Sequence, residues 1–310
     1  MVAPHLPADA RDPLTAALRE FAPTGPLVEA RLAAAIDQAV AHPGKLVRAR
    51  LVHAAACVHG ADPDHALQLA VAIEYFHIAS LLLDDLPCMD DAQTRRGLVC
   101  AHRVHGEAPA ILAALALINR AYALIGFAMA GEPVPVRLAA MGCLDAALGV
   151  AGLVGGQAHD LAFARGEGRP REVGRIAAAK TGALFWLAVY FPALLAQPTG
   201  VEGRRLKALC TYWGLAFQAL DDWGDVIASR LETGKAGGRD AALRRPNLVH
   251  ALGRAGARRR LARLVDQAGR MVAALELERP VWSYLGQFHR EFFVANADRL
   301  ARNAEVLVAA

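Results

Sequence analysis

Fourteen residues, Asp84 to Gly97, constrain this chain more than any others. They read DDLPCMDDAQTRRG and hold four carboxylates and two guanidiniums. They follow an apolar run, Leu67 to Leu83, in which Glu74, His77, Leu81 and Asp84 recur at spacings of three and four and so share one helical face. Pro87 stops that helix, because it lacks an N–H and disfavours helical geometry at Leu86. Asp84 and Asp85 therefore fall in the last turn, with Asp90 and Asp91 looped beyond it. The carbonyl end of a helix disfavours an anion by about 0.3–1 kcal/mol. A positive partner is required there, and the run itself does not supply one.

A second acidic cluster, Asp221, Asp222 and Asp225 in DDWGD, closes another apolar run that begins near Leu206 and reaches toward Gly234. Asp221 and Asp225 lie one turn apart on one face. Carboxylates at the ends of two apolar helices point to a hard divalent cation; Mg²⁺ takes one or two carboxylates and completes its octahedron with water and substrate phosphates. Acids flanked by core-type residues do not read as an ordinary solvated surface.

The chain of 310 residues is 55% hydrophobic and can bury a large core. Alanine and leucine dominate, β-branched residues other than valine are few, and strict alternation is absent, so the expected fold is all-α. No linker, low-complexity block or internal repeat interrupts it, which favours a single domain over residues 1–310. Five cysteines without CxxC spacing fit reduced thiols, and the N-terminus has no basic region before an apolar stretch, so a cytoplasmic protein is expected. The run Ala108 to Ala130 is broken by Asn119 and Arg120 and reads as a buried core helix; Gly182 to Ala196 contains Pro192 and reads the same way. No membrane span is expected. The net charge of +4 is slight, and the arginines between 254 and 263 share a helix with Leu252, Leu261 and Leu264 without aromatics, a solvated face and not a nucleic-acid site. Cys88, Cys100, His102 and His105 do not match the spacing of a zinc module.

Other polar residues stand out against this apolar background. Lys45 and Arg48 follow Pro43-Gly44 at a spacing that would put both cations on one helical face, as a diphosphate cradle requires. Gly155-Gly156-Gln157 and Asp160 belong to a further helix, where glycine permits close approach of a neighbour. Lys180-Thr181 and Phe217-Gln218 embed polar groups that are costly to bury without partners.

In order and content these residues resemble the trans-isoprenyl diphosphate synthases. The resemblance rests on DDLPCMDD followed by RRG, FQALDD downstream, and the intervening GK..R, H, GQ..D, KT and GK elements over roughly residues 44–253. With AILAALAL at 110–117, the chain is most similar to bacterial carotenoid-pathway geranylgeranyl diphosphate synthases. The resemblance implies a helical bundle with a central active-site cavity, a homodimer, and Mg²⁺ held by Asp84, Asp85, Asp90, Asp221, Asp222 and Asp225. It implies isopentenyl diphosphate on Lys45, Arg48, His77 and Arg96, and an allylic diphosphate on Arg95, Lys180 and Lys235. Thr181 and Gln218 would face the carbocation. Residues 233–240 would form a lid, and Arg245 replaces the family's later lysine. The family pattern GGKRxRP is PGKLVRA here, so Leu46 stands in place of an arginine.

The implied reaction is metal-triggered ionisation of the allylic diphosphate, attack by the isopentenyl double bond, and loss of a proton. The growing tail would run back along the Asp84 helix at 5.4 Å per turn, past Ala79 and Ser80. Their small side chains, with the DDxxxxD spacing, predict a twenty-carbon product. A farnesyl diphosphate synthase is the alternative within the family. A class I terpene cyclase has no use for Lys45, Arg48 and His77, and a non-catalytic partner subunit would normally lack one acidic cluster.

Overall fold

The computed structural model of the chain describes residues 12–163, 170–228 and 247–300. Among these, helices account for nearly everything: α1 (Pro13–Glu20), α2 (Ala30–Ala41), α3 (Val47–Val58), α4 (Pro63–Asp84), α5 (Ala101–His105), α6 (Glu107–Ala128), α7 (Val134–Leu148), α8 (Leu153–Phe163), α9 (Pro170–Ala193), α10 (Gly200–Ala228), α11 (Leu248–Glu278) and α12 (Ser283–Phe288). Local chemistry sets the starts of several. Asp12 and Asp62 accept backbone N–H bonds ahead of Pro13 and Pro63, and Asn247 accepts from Val249 and His250 at the head of α11. The strands β1 (Thr94–Arg95) and β2 (Leu98–Val99) pair antiparallel, Thr94 with Val99 and Arg95 with Leu98. Arg96 and Gly97 at their turn have φ of 55° and 81°, the geometry of a tight hairpin turn that glycine adopts freely and arginine only at a cost.

The helices form two compact units, one running to Arg137 and the other from Leu138 within α7. In the first, α4 is the axis. It is apolar over most of its circumference and buried along most of its middle, with α6, α3 and α1 as neighbours. Phe76 meets Tyr122 of α6 edge to face, and the Tyr75 hydroxyl donates to the Leu18 carbonyl at 2.7 Å. Arg120, the charge that interrupts the apolar run of α6, donates through Nε to the Phe21 carbonyl just beyond α1 at 2.9 Å. The expectation of a buried core helix at 108–130 is corrected: one side of α6 is packed, but Ile111, Leu112, Leu115, Tyr122 and Phe127 are exposed. Among the described residues, four stretches are long and apolar enough to cross a membrane by length and composition alone, those of α4, α6, α7–α8 and α9.

In the second unit α9 and α10 lie against each other, with α8 on α9 and α11 on α10. Glycines set the spacing. A Cβ on Gly156 of α8 would sit 2.5 Å from the Lys180 backbone nitrogen, and one on Gly214 of α10 would sit 2.5 Å from the Gly182 Cα. No larger residue fits at either crossing without displacing backbone. Trp213, Phe185 and Phe293 fill the interior beyond, all essentially inaccessible to water.

Candidate active site

In the first unit α4 ends at Asp84, and the chain folds back over its carbonyl end: Asp90 N–H donates to Asp84 O and Ala92 N–H to Asp85 O, each at 3.0 Å. This turn presents Asp84 and Asp90 partly to solvent, while the Asp85 carboxylate is buried. Arg95 Nε donates to Asp85 Oδ1 at 3.0 Å, and its Nη2 donates to the same oxygen. The hairpin thus delivers the cation that the helix end requires.

One to three turns back along α4 lies a second group of charges. Lys45 does not share a helical face with Arg48, contrary to the sequence expectation, because α3 begins only at Val47. Lys45 sits exposed in the preceding turn, and the intervening Leu46 is left-handed with φ of 52° and buried. A three-residue spacing equals one helical turn only where the backbone is helical throughout; the positive φ at Gly44 and Leu46 breaks it. Arg48 is buried, and its Nη1 lies 3.3 Å from His77 Nε2. A guanidinium only donates, so His77 Nε2 accepts, which puts the imidazole proton on Nδ1, a buried atom with no hydrogen-bond partner. Burial, followed by Arg48, Arg96 and Arg95, holds the His77 pKa well below its usual 6.5, so the ring is neutral. Arg96 Nη1 donates to the His42 carbonyl at 2.7 Å, and its guanidinium lies over Gly44, where even a Cβ would come within 2.7 Å of Cζ. Ser80 Oγ donates to the His77 carbonyl at 2.8 Å, and Ala79 is fully buried.

The second unit carries a chain of directed hydrogen bonds. Lys180 Nζ is 2.9 Å from Asp160 Oδ2, across the contact that Gly156 permits. Thr181 Oγ1 donates to Gln218 Oε1 at 2.8 Å; Gln218 Nε2 donates to Asp222 Oδ1 at 2.7 Å; Leu248 N–H donates to Asp222 Oδ2 at 2.6 Å. A carboxylate only accepts, so it fixes which end of the Gln218 amide faces it and leaves the amide oxygen toward Thr181. Asp222 is 1% exposed, whereas Asp221 is exposed on α10. Asp225 follows one turn later on the same helix; Lys235 and Arg245 lie outside the described residues. Among the described residues no cluster of three or more His, Cys, Asp or Glu has metal-binding geometry.

The polyprenyl synthetase family model matches residues 29–276, a span that takes in the first cluster, the Lys45 turn, Lys180 and the second cluster. The chain belongs to that family. Polyprenyl synthetases are prenyltransferases, and the chain is one. It is 38% identical over 237 residues to a geranylgeranyl diphosphate synthase of Pseudescherichia vulneris, covering 76% of this chain and 75% of that one. It is 34% identical over 261 residues to a farnesyl diphosphate synthase of Geobacillus stearothermophilus, covering 83% and 86%. Among solved structures it is similar to an apo FPP/GFPP synthase from Zymomonas mobilis, with a TM-score of 0.76, 31% identity, and coverage of 90% of this chain and 94% of that one.

Three features of this polyprenyl synthetase escape sequence reasoning. The Arg95–Asp85 pair crosses a turn whose shape only the hairpin decides. The Lys180–Asp160 pair joins helices twenty residues apart, and its one trace in sequence is Gly156. Glu74 reads in sequence only as a member of a helical face, yet it is the most deeply buried acid near the cations.

Proposed function

We propose that this prenyltransferase condenses isopentenyl diphosphate with geranyl or farnesyl diphosphate to give geranylgeranyl diphosphate, with Mg²⁺ as cofactor. The observation that carries the reading is that the first unit holds cations of two kinds. Arg48 bonds the neutral His77 and Arg96 bonds the His42 carbonyl, with Lys45 in the adjoining turn, whereas Arg95 bonds Asp85 at the end of α4. A cyclase with one diphosphate substrate has no use for that first group.

The donor set suits Mg²⁺: Asp84, Asp90 and Asp221 offer hard carboxylate oxygens with access to solvent, and Asp225 completes the second motif. Asp85 and Asp222, also expected as ligands, already have Arg95 and the Gln218–Leu248 pair as partners, so they are assigned to the surrounding support. Asp84, Asp90, Asp221 and Asp225 would hold Mg²⁺, which when bound would supply positive charge to the diphosphate leaving group. Lys180, with Arg95 and Lys235, binds the allylic diphosphate. Thr181 and Gln218 oxygens stabilise the allylic cation as it forms. Lys45, Arg48, His77 and Arg96 orient isopentenyl diphosphate so that its double bond attacks that cation, and the apolar helices exclude the water that would quench it. Because His77 is held neutral, it binds as a hydrogen-bond donor through Nδ1, not as a cation.

Product length is assigned from Ala79, a small, fully buried side chain just over one turn before Asp84. Purified protein given labelled isopentenyl diphosphate, farnesyl diphosphate and Mg²⁺ is expected to yield twenty carbons on chromatography of the dephosphorylated products. Ala79→Tyr is expected to shift the yield toward fifteen carbons with geranyl starter. A wild type that stops at farnesyl, or an unchanged product from Ala79→Tyr, refutes the assignment. The exposed apolar side of α6 supports a second copy of the chain as its cover, and sedimentation equilibrium would read the dimer mass or overturn it.

A further inference from the structure

Glu74 has no assignment in the reaction, yet its place is costly. It is 1% exposed on α4, one turn before His77, and its Oε2 is buried with no hydrogen-bond partner. Burying a carboxylate is strongly unfavourable unless charges and donors surround it. Two cations do so. Arg48 leaves the first turn of α3 and binds His77, one turn along α4 from Glu74. Arg96 comes from the hairpin and is anchored on the His42 carbonyl and against Gly44. Burial pushes the Glu74 carboxyl upward, and Arg48 and Arg96, in that order, pull it back toward the ionised form.

Two guanidiniums brought from different elements to one place repel each other, and His77, being neutral, does nothing to offset this. We propose that Glu74 is the positioning residue of the isopentenyl diphosphate cradle: its buried negative charge holds Arg48 and Arg96 together before any anion arrives. Glu74 touches no substrate; the diphosphate meets a pair of guanidiniums already gathered. This rests on the proposed assignment of that cradle to isopentenyl diphosphate.

Glu74→Gln tests the charge while preserving size. Loss of the organised pair is expected to raise the KM for isopentenyl diphosphate about tenfold or more. The KM for the allylic diphosphate and kcat are expected to change less than about twofold. A purely space-filling role predicts no such split, because glutamine fills the same space. Calorimetric titration with inorganic diphosphate in EDTA, which silences metal-dependent binding, makes the test independent of turnover; Lys45→Ala assigns the signal to this cradle. The wild type is expected to bind and Glu74→Gln to bind about tenfold more weakly. If wild-type protein shows no prenyl transfer, the proposed function fails and the titration still decides Glu74. Unchanged or tighter diphosphate binding by Glu74→Gln, or equal rises in both KM values, overturns the proposal. A lowered thermal midpoint in Glu74→Gln without the KM split also overturns it, since it leaves only a structural role.

Discussion

Asp221 and Asp222 are adjacent in sequence and have opposite surroundings, the one exposed and the other buried with both oxygens bonded. Their substitutions should therefore fail differently. Asp221→Ala is expected to abolish Mg²⁺-dependent turnover while costing less stability than loss of the buried Asp222, because the interactions of an exposed carboxylate are worth little in water. Asp84→Ala should likewise abolish turnover. Asp222→Asn puts an amide where Gln218 needs an acceptor, so the Gln218 side chain can flip and turn its NH2 toward Thr181. A fall in kcat of at least tenfold is expected, because one misoriented stabilising dipole typically costs about a hundredfold. The Mg²⁺ concentration for half-maximal rate should stay in place. A shift in that concentration for Asp222→Asn, comparable to that of a metal ligand, would return Asp222 to the coordination sphere.

At the scale of elements, glycines carry as much of the site as charges do. Gly156 brings α8 close enough to α9 for Asp160 to reach Lys180, and Gly214 does the same between α10 and α9 at Gly182, next to Thr181. Gly156→Ala must push backbone apart, since the new Cβ meets Lys180 N and Cα and no side chain can yield. Overpacking of this kind costs about 1–3 kcal/mol, readable as a lower urea midpoint with unchanged slope. Activity should fall further than stability, because the displacement is transmitted to Lys180. The same substitution at exposed Gly224, where an added methyl would meet only open space, is the control and should be close to neutral.

For the molecule as a whole, His77 makes stability depend on pH. Its folded pKa lies well below the 6.5 it has when unfolded. Between those two values the unfolded chain binds a proton that the folded chain does not, so the contribution of this group falls as pH falls below 6.5. The limit is about 1.4 kcal/mol for each pH unit between them. The direction is the reverse of that for a histidine with an acidic partner. Thermal midpoints of wild type and His77→Gln, measured from pH 7.5 down to 5.5, should converge or cross on acidification, because glutamine has no proton to gain. Parallel curves would show that His77 titrates normally.

Much of this protein can be read along the chain because its helices are set by local rules. The apolar run and the stop at Pro87 locate the end of α4 and its two terminal aspartates without reference to any other element. The motifs DDLPCMDD, RRG and DDWGD mark the site for the same reason: they are contiguous, and their chemistry lies in residue type and spacing. Tertiary structure decided what contiguous spacing cannot express. Leu46 with positive φ separates Lys45 from the helix that bears Arg48, and a hairpin with positive φ at Arg96 returns Arg95 to Asp85. Asp222 is turned inward to Gln218 and the head of α11, although its neighbour Asp221 faces solvent. Glu74, in sequence an ordinary acid on a helical face, becomes the buried counter-charge of two arginines from different elements. Each of these depends on which groups remain to solvate a charge once water has been removed, and that set is assembled by packing, from residues that the sequence holds far apart.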